Sequence, residues 1–389
     1  MRRFGGQFAR FEGLRGVLGG VLCGGLGPAL RWGIAGFYNP RLLHDGATLL
    51  RRSQGALPSA DHRVTSTPSP ASYRTLAAAD MAEVDQVIHR RLASQVALVN
   101  QISHYIVSAG GKRVRPMLLL LVAGALGNRS TERHELAAVV EFIHTATLLH
   151  DDVVDESDLR RGRKTANAMF GNAASVLVGD FLYSRAFQMM VLTNRLRVME
   201  VLADATNVIA EGEVLQLMNM HDPDISVDDY LRVIEYKTAK LFEASARLGA
   251  VISDAPAEVE TACADYGRAL GTAFQLIDDL LDYEGSTAEL GKNIGDDLRE
   301  GKPTLPLLVA MQRGTPEQAA LIRHAIEHGE VERMAEIVDI VKATGALDAT
   351  REAAQVQVDQ AQRCLHALPS SEWREALLQL SFDSIHRSS

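Results

Sequence analysis

Residues 141–155 read EFIHTATLLHDDVVD, an apolar segment that runs directly into three aspartates. Apolar side chains recur every three or four positions here, which predicts a helix with one buried face. On that helix Asp151 and Asp155 lie about 40° apart and about 6 Å along the axis, so both carboxylates face one side. His144 precedes Asp151 by two turns and faces almost the same way. Paired carboxylates one turn apart can share divalent metal ions, and oxygen ligands suit Mg²⁺, which takes further ligands from substrate phosphates.

The same pattern recurs at residues 274–282, which read FQLIDDLLD within another apolar helical segment. Asp278 and Asp282 share one helix face, and Gln275 lies one turn earlier. A single acidic turn is usually only a solvated helix surface, and a second matched copy disfavours that interpretation. If the two helices face each other across a cavity, their carboxylates would hold metal ions and a diphosphate between them.

Basic side chains accompany both acidic clusters. They are Lys112, Arg113 and Arg115 in the turn 110–116, Arg160 and Arg161 after the first cluster, Lys237 beside Thr238 in segment 227–253, and Lys292 and Lys302 after the second cluster. Pro116 suits the first turn of a helix, and a helix N-terminus beside cations is a natural anion site. Each of these side chains alone is an ordinary surface cation. Together they predict positive charge for two diphosphates, because arginine pairs well with phosphate oxygens.

The rest of the chain from about residue 75 also predicts helices. Apolar residues recur at helical spacing in segments 84–107, 117–126, 135–150, 173–192, 196–220, 227–253 and 257–284. Aromatic residues make up only 5% of the chain, and no alternating stretch is typical of a strand. The pattern therefore predicts an all-α domain whose helices are hydrophobic enough to surround a central cavity.

Residues 1–74 differ in composition from everything that follows. They hold ten arginines, no lysine and three acidic residues, a net charge of +7, which leaves −16 on the remainder. Three interpretations stay open: an organellar transit peptide, a start codon assigned too far upstream, and a disordered tail with its own role. The second is compatible with the lack of any methionine between Met1 and Met81. All three place the segment outside the fold and leave 75–389 as the helical domain.

The composition also excludes some classes of partner. A net charge of −9 disfavours binding to nucleic acid. No apolar segment reaches the roughly 20 residues of a transmembrane helix. Cys23, Cys263 and Cys364 have neither disulfide nor metal-site spacing, which fits a reducing compartment.

The two aspartate-rich motifs, with GKRVRP upstream at 111–116, resemble those of the trans-isoprenyl (polyprenyl) diphosphate synthases. The strings at 141–161, 171–180 and 208–217 are similar to those of bacterial octaprenyl diphosphate synthases. The resemblance implies an all-α, isoprenoid-synthase-type bundle around a deep cavity, usually a homodimer, with Mg²⁺ as cofactor. It implies extension of an allylic diphosphate, with farnesyl diphosphate as the expected starter, by isopentenyl diphosphate. The expected product is octaprenyl diphosphate for quinone side chains, with solanesyl or decaprenyl diphosphate as alternatives.

The resemblance also implies a location. A bacterial enzyme of this kind is expected in the cytoplasm, and in the mitochondrial matrix if residues 1–74 are a transit peptide. The protein is expected to pass its product to a membrane without spanning one.

The resemblance assigns residues to roles by motif position. The catalytic set comprises Lys237 and six aspartates, of which Asp151, Asp155 and Asp278 bind Mg²⁺ directly while Asp152, Asp279 and Asp282 support them. Isopentenyl diphosphate is bound by Lys112, Arg115 and His144, with Arg161 helping. The allylic diphosphate is bound by Arg160, Lys237, Thr238, Gln275 and Lys292, and Lys302 completes the positive rim.

Product length is expected to depend on the depth of the cavity. In this family, large aromatic residues just before the first acidic motif stop the growing chain early. Ala146 and Thr147 occupy those positions here, and their small size implies a long product. Phe187 and Met190 on the following helix are expected to form the floor. The C-terminus, HRSS at 386–389, departs from the basic tail that some short-chain members use on isopentenyl diphosphate.

Three other functions fit the residues less well. A Mg²⁺-dependent terpene cyclase usually has a second motif of an Asn/Ser/Glu type, and it needs no second diphosphate site built from Lys112 and Arg115. A non-catalytic regulatory subunit tends to lose its acidic ligands, whereas all six aspartates are present here. A purely structural helical protein has no need for paired acids beside apolar segments.

Overall fold

The computed structural model of the chain describes residues 72–108, 110–160, 162–284 and 295–387. Most of the predicted extension 1–74 lies outside these ranges, as do Arg161 and Lys292. The first described helix begins at Ser72.

The described residues confirm the all-α prediction. Their helices, numbered in chain order, are α1 Ser72–Leu92, α2 Ala97–Ser108, α3 Val114–Ala125, α4 Glu132–Val154, α5 Ala166–Phe170, α6 Asn172–Leu192, α7 Leu196–Asn219, α8 Val227–Ile234, α9 Lys240–Val251, α10 Ala257–Glu284, α11 Asp296–Arg299, α12 Leu305–Arg313, α13 Pro316–His328, α14 Met334–Ala343, α15 Ala346–Cys364 and α16 Glu372–Ile385. A π-helical turn, Glu235–Ala239, joins α8 to α9, and a 3₁₀ turn, Leu365–Ala367, follows α15. Among these helices none has the length and hydropathy that crossing a bilayer requires.

α3 forms the most deeply buried part of the bundle. Every residue from Pro116 to Ala125 is buried, and Leu118–Leu121 expose no surface at all. Burying one leucine side chain contributes about 1.5–3 kcal/mol, so these four leucines together contribute about 6–12 kcal/mol to the free energy of hydrophobic burial. α3 packs against α4, α9 and α16, and α10 packs against α9 and α15. Helices apolar on all sides belong at the centre of a large core.

The predicted helical segment 84–107 is interrupted. α1 ends at Leu92 and α2 begins at Ala97. Between them the Ser94 backbone N–H donates to Asn100 Oδ1 at 2.9 Å, and Asn100 Nδ2 donates to the Ser94 carbonyl at 2.8 Å. Such local side-chain bonds compete with helical bonds, which is why apolar spacing alone does not reveal the break.

A short antiparallel hairpin follows α4, where the sequence pattern predicts no strand. β1, Leu159–Arg160, pairs with β2, Arg163–Lys164. Two-residue strands are too short to show an alternation of apolar and polar positions. Tyr105 donates its hydroxyl to the Lys164 carbonyl at 2.7 Å, which ties the hairpin to α2. The hairpin holds Arg160 close to the C-terminal end of α4.

Candidate active site

A cavity of about 810 Å³ lies between the C-terminal parts of α4 and α10. Its wall also includes the turn before α3, the end of α7, the π-helical turn, and the chain around α11. The volume is in the range of small-molecule sites. Both predicted aspartate clusters line it, so the two acidic motifs share one cavity as the sequence predicts.

The first cluster separates into two carboxylates that line the cavity and one that is fully buried. Asp151 and Asp155 line the cavity, and Asp155 caps the C-terminus of α4. Asp152 is fully buried, and Arg160 binds its Oδ1 through Nε at 2.8 Å and Nη2 at 2.7 Å. Burial raises the pKa of Asp151; Lys237 opposes this, and the negative charge of Asp155 adds to it. Two carboxylates held this close favour a shared cation.

The second cluster has one exposed and two buried carboxylates. Asp278 is 47% exposed in its side chain, whereas Asp279 is buried. Tyr230 donates its hydroxyl to Asp279 Oδ2 at 2.5 Å, and Gln275 Nε2 donates to Oδ1 at 2.7 Å. Burial raises the pKa of Asp279 to about 8, and the negative charge of Asp297 adds to the shift. Asp279 is therefore a buried support, and Asp278 is the member of the pair that faces solvent.

The third member of this cluster, Asp282, is also buried. Its Oδ2 accepts a hydrogen bond from the Asp297 backbone N–H at 3.4 Å. Asp282 thereby joins α10 to the start of α11.

Asp151, Asp155 and Asp278, which form the cavity-facing set, each have a cation beside them. Asp151 Oδ2 lies 3.9 Å from Lys237 Nζ. Asp155 Oδ2 lies 3.0 Å from Lys302 Nζ, and Asp278 Oδ1 lies 2.7 Å from Arg387 Nη2. These pairings follow from charge, because partly buried carboxylates are stable only with positive partners.

The carboxylates fit a divalent ion of the Mg²⁺ type. The cavity-facing set, Asp151, Asp155 and Asp278, offers only oxygen donors, which hard cations prefer. In addition Asp152 Oδ2 is buried and has no hydrogen-bond partner among the described residues. A buried carboxylate oxygen without a donor is stabilised by nearby positive charge, which a cation held by its neighbours provides.

A second, basic region of the cavity is built on the turn before α3. Lys112 and Arg115 line the cavity together with His144 of α4. Arg115 Nη1 lies 3.1 Å from His144 Nε2, and its guanidinium stacks over Phe242 at 4.5 Å from the ring centroid. Burial lowers the pKa of Arg115 to about 10, with Glu141 and Asp278 opposing, so the side chain stays protonated at neutral pH. The structure therefore brings Lys112, Arg115 and His144 together, and their binding of a second diphosphate stays a prediction.

Arg113, the other cation of that turn, has a different setting. It forms ion pairs with Asp85 and with Glu141, the latter at 3.9 Å, and its backbone adopts the left-handed conformation with φ of 44°. These ion pairs connect the turn before α3 to α1 and to α4. The sequence offers no way to distinguish it from Lys112 and Arg115, because its partners are distant in the chain.

Lys237 and Thr238 lie in the π-helical turn. Such turns are frequent at functional sites because one extra residue per turn redirects the side chains. Gly212 of α7 makes the turn's position possible, since a Cβ there would lie 2.6 Å from the Lys237 backbone nitrogen. Lys237 Nζ binds Glu213 Oε2 at 2.6 Å, and Thr238 donates its hydroxyl to Gln275 Oε1 at 3.0 Å. The turn thereby links α7 to α10 across the cavity wall.

Lys302 lies where three acidic groups converge. It contacts Asp155 and Glu300 directly. Burial alone would lower the pKa of Lys302, but the negative charges of Asp297, Asp155 and Glu300 raise it overall. Lys302 is therefore a permanent cation at the rim of the cavity.

The predicted chain-length residues lie below this polar region. Thr147 lines the cavity and donates its hydroxyl to the His144 carbonyl at 2.9 Å. Ala146 and Met190 are fully buried in one hydrophobic cluster, and the partly buried Phe187 packs against it. Their role in setting product length stays a prediction.

Several cavity residues do not follow from the motifs. Glu213, Tyr230 and Glu300 line the cavity as partners of Lys237, Asp279 and Lys302. Burial raises the pKa of Glu213 to about 7, with Lys237 lowering it and Asp151 raising it. An acid in the string EGEVLQL at 211–217 is a weak signal, because acidic residues are common on helix surfaces.

Arg387 corrects the interpretation of the C-terminus. The string HRSS lacks a basic tail, yet Arg387 enters the cavity wall. Its Nη2 donates to the Phe274 carbonyl at 2.6 Å, and its guanidinium stacks on the Phe274 ring at 3.7 Å from the centroid. The packing of α16 on α10 brings this one arginine to the cavity wall. A count of the basic residues at the chain end does not reveal this cation.

Comparison with known proteins gives consistent matches over the described helices. The sequence profile of the polyprenyl synthetase family matches residues 96–343. The chain is 57% identical over 313 residues to octaprenyl diphosphate synthase of Escherichia coli strain K12, covering 80% of this chain and 97% of that protein. It is 46% identical to an all-trans-nonaprenyl-diphosphate synthase of Rhodobacter capsulatus, covering 78% and 94%. Among solved structures it resembles a polyprenyl synthase of Caulobacter crescentus complexed with calcium and isoprenyl diphosphate, with a TM-score of 0.80, 47% identity, and 83% and 99% coverage.

Proposed function

The chain belongs to the polyprenyl synthetase family, and from that premise we propose that it extends an allylic diphosphate with isopentenyl diphosphate to form octaprenyl diphosphate. It is a prenyltransferase of the octaprenyl diphosphate synthase type. The observation that carries the proposal is the meeting of both acidic clusters and the separate basic region in one cavity. A reaction that joins two diphosphates requires both kinds of region.

We assign these roles from the motif positions together with the charges that line the cavity. Asp151, Asp155 and Asp278 would hold Mg²⁺, which would supply positive charge for the diphosphate that leaves the allylic substrate. Lys237, Thr238 and Gln275 would hold that diphosphate from the side of the π-helical turn, and the motif positions of Arg160 and Lys292 assign them to the same group. Lys302 keeps the rim positive, and Asp152, Asp279 and Asp282 keep the acidic helices in place.

The second substrate is placed by the basic region. Lys112, Arg115 and His144 bind the diphosphate of isopentenyl diphosphate, with Arg161 assisting. The C–O bond to the allylic diphosphate breaks to leave an allylic cation, the double bond of isopentenyl diphosphate attacks that cation, and a proton then passes to the departed diphosphate. Apolar wall residues such as Leu148 and Phe242 exclude water from the cation that forms.

Glu213 sets the position of Lys237 in this scheme. It binds Lys237 Nζ at 2.6 Å, closer than Asp151 does. Lys237 therefore lies between Glu213, which is not one of the proposed metal ligands, and Asp151, which is. When Asp151 binds the metal, Glu213 retains the lysine at the cavity wall.

Product analysis tests the proposal directly. Purified protein is incubated with farnesyl diphosphate, labelled isopentenyl diphosphate and MgCl₂, and the dephosphorylated products are separated by reversed-phase chromatography. We expect chains of eight isoprene units; chains of nine or ten would place the protein with solanesyl or decaprenyl synthases. A cyclic hydrocarbon made without isopentenyl diphosphate, or no incorporation of label, would contradict the proposed function.

The cellular role is the finer part of the proposal. We propose that the product becomes the side chain of ubiquinone and passes to a membrane, while the enzyme works in the cytoplasm. If residues 1–74 are a transit peptide, the mitochondrial matrix replaces the cytoplasm. Sequencing the N-terminus of the native protein distinguishes these cases, because a removed segment leaves a new first residue.

We propose that two copies of the chain pair through α6 and α7. Large apolar side chains stand exposed at the start of α6 and the end of α7: Leu177 at 66%, Leu217 at 58% and Met218 at 72%. Val214, also exposed, lies one turn before Met218 on the same stripe. Exposed apolar patches of this kind usually mark an interface.

We therefore expect Leu217→Glu to convert a dimer into a monomer, because a charge at the centre of an apolar interface loses its hydration. Light scattering after size-exclusion chromatography measures the mass. Val356→Glu is the matched control, since Val356 is an exposed apolar residue on α15. A wild-type mass for Leu217→Glu, or a monomeric wild type, would refute the interface.

Arg387 provides a further test of the cavity. It holds Asp278, which the metal also needs, and it stands at the cavity wall where a diphosphate would bind. We expect Arg387→Ala to raise KM for isopentenyl diphosphate about tenfold, the size of a lost charge-assisted hydrogen bond. The same change should lower the Mg²⁺ concentration needed for half-maximal rate, because Asp278 loses a competing cation.

The control for this variant is Arg351→Ala. Arg351 also forms an ion pair with a residue of α10, Glu284, but it does not line the cavity. If both variants changed the two constants equally, or neither did, Arg387 would have no specific part in binding.

A further inference from the structure

Two histidines and a glutamate meet at the C-terminal end of α13. His324, Glu327 and His328 occupy positions i, i+3 and i+4, which share one helix face. Each offers one ligand atom, and these atoms all lie within 4.8 Å of one another. The two imidazole rings lie 4.2 Å apart between centroids. α13 is remote in sequence from both aspartate motifs, and none of the three residues lines the cavity.

The hydrogen bonds of the cluster leave ring nitrogens available to a metal. His328 Nδ1 lies 2.9 Å from the His324 carbonyl. Because a carbonyl only accepts, Nδ1 carries the proton and the lone pair is on Nε2, which is free of that bond. A backbone acceptor that fixes the tautomer and the ring orientation is a usual feature of histidine ligands.

A fourth donor lies just beyond the helix. Gly329, with φ of +64°, ends α13 in the left-handed conformation, and the Glu330 backbone N–H donates to the Ala325 carbonyl at 3.1 Å. This turn brings Glu330 Oε2 to 3.4 Å from His324 Nε2. Glu330 thus adds a second carboxylate beside His324, next to the group of three.

The surrounding charges favour a cation at this point. The C-terminal end of a helix carries partial negative charge. Arg323, which precedes His324 in the chain, has both terminal nitrogens on Asp224, at 2.6 and 3.0 Å, so its charge is already paired. Glu327 and Glu330 add negative charge on the same side.

We propose that His324, Glu327 and His328, with Glu330 beside them, form a binding site for a divalent transition-metal ion of the zinc class. Imidazole nitrogens with one carboxylate are a common three-ligand set for Zn²⁺, and water or a further carboxylate completes four-coordination. Mg²⁺ prefers oxygen ligands and does not compete for the histidines. The site is therefore chemically distinct from the aspartate clusters of the cavity.

The ion would hold the last turn of α13 to the residues that follow it. That turn is packed against the chain leading to Lys302: a Cβ on Gly329 would lie 2.7 Å from the Arg299 carbonyl oxygen. His221 joins the same place, with Nδ1 at 3.0 Å from the Ile326 carbonyl and its backbone N–H donating to Gly301. Metal binding should therefore raise the melting temperature of the protein.

The test uses the full chain, freed of any histidine tag and of bound metal, in an excess of MgCl₂ that keeps the aspartates of the cavity occupied. ZnCl₂ is titrated calorimetrically, and CoCl₂ replaces it in a second titration that follows the visible absorption of tetrahedral Co²⁺. We expect one ion per chain, with binding weakened at least about tenfold in His324→Ala and in His328→Ala. His366→Ala, which removes an exposed histidine outside the cluster, should bind like the wild type.

The melting temperature gives an independent readout. Zn²⁺ should raise it in the wild type and in His366→Ala, and not in His328→Ala. All three histidines are exposed, so the variants should fold, and circular dichroism checks this. Lack of saturable binding by the wild type in excess MgCl₂, or equal binding by His328→Ala, would overturn the proposal.

Discussion

Asp278→Ala and Asp151→Ala should each lower kcat by about a thousandfold or more. Each change removes a carboxylate proposed to bind the metal ion whose positive charge stabilises the leaving diphosphate. Loss of one preorganised stabilising group in a water-excluded site already reduces turnover by about 100- to 1000-fold. The two residues lie on different helices that face one cavity. Neither cluster can replace the other, so single variants should be as defective as the double variant.

Both variants should keep the fold. Asp278 is 47% exposed, and without it Arg387 keeps its contact with the Phe274 carbonyl. Asp151 is more buried, yet Lys237 retains Glu213 as its partner in that variant. Circular dichroism and thermal melting should therefore resemble those of the wild type.

Asp265→Ala is the matched control. Asp265 lies on the same helix as Asp278 and forms an exposed ion pair with Arg268, away from the cavity. Exposed pairs of this kind contribute about 0–1 kcal/mol, so rate and stability should change little. A rate near that of the wild type for Asp151→Ala or Asp278→Ala would contradict the assigned roles.

Ala146→Phe should shorten the product by several isoprene units. Ala146 precedes Asp151 by five residues and is fully buried in the cluster that also contains Met190. The adjacent Thr147 lines the cavity, and we propose that a phenyl ring at position 146 blocks extension of the growing chain. Reversed-phase chromatography of the dephosphorylated products gives the length distribution. Met190→Ala should have the opposite effect, since it removes volume from the expected floor.

Overpacking is the main alternative explanation for a change in Ala146→Phe, since added volume in a core destabilises by about 1–3 kcal/mol. Ala137→Phe controls for it. Ala137 is also fully buried on α4, but nine residues earlier it faces about 180° away. We expect Ala137→Phe to lose stability and keep the product length. An unchanged length in Ala146→Phe would exclude this part of the cavity as the determinant.

The parts of the site that could be predicted are those in which the same type of side chain recurs one helix turn later. The Asp151–Asp155 and Asp278–Asp282 spacings, set in apolar segments, indicate two acidic helix faces from the sequence alone. The burial of individual aspartates does not follow from this spacing, because Asp282 shares a helix face with the exposed Asp278 and is itself buried.

The residues that could not be predicted depend on contacts between distant segments. Arg387 reaches Asp278 only because α16 packs on α10, and a single arginine near a chain end carries no signal of that packing. Tyr230 is identified by its bond to Asp279, which lies 49 positions away in the sequence. The break after Leu92 depends on Asn100, whose side chain outcompetes a continuous helix. Local spacing of residues predicts the helices well. Contacts between residues on distant helices cannot be read from that spacing, because they form only when the chain folds.

The π-helical turn between α8 and α9 has a consequence for how this chain can vary. A π turn is equivalent to one residue inserted into an α-helix, so everything after Ala239 is offset by one position relative to an uninterrupted helix. Deleting one residue from Glu235–Ala239 would restore ordinary helical geometry and leave the length of the segment almost unchanged. It would also rotate Lys237 or Thr238 away from Glu213 and Gln275. This short stretch should accept many substitutions on its outer side, but no gain or loss of a single codon.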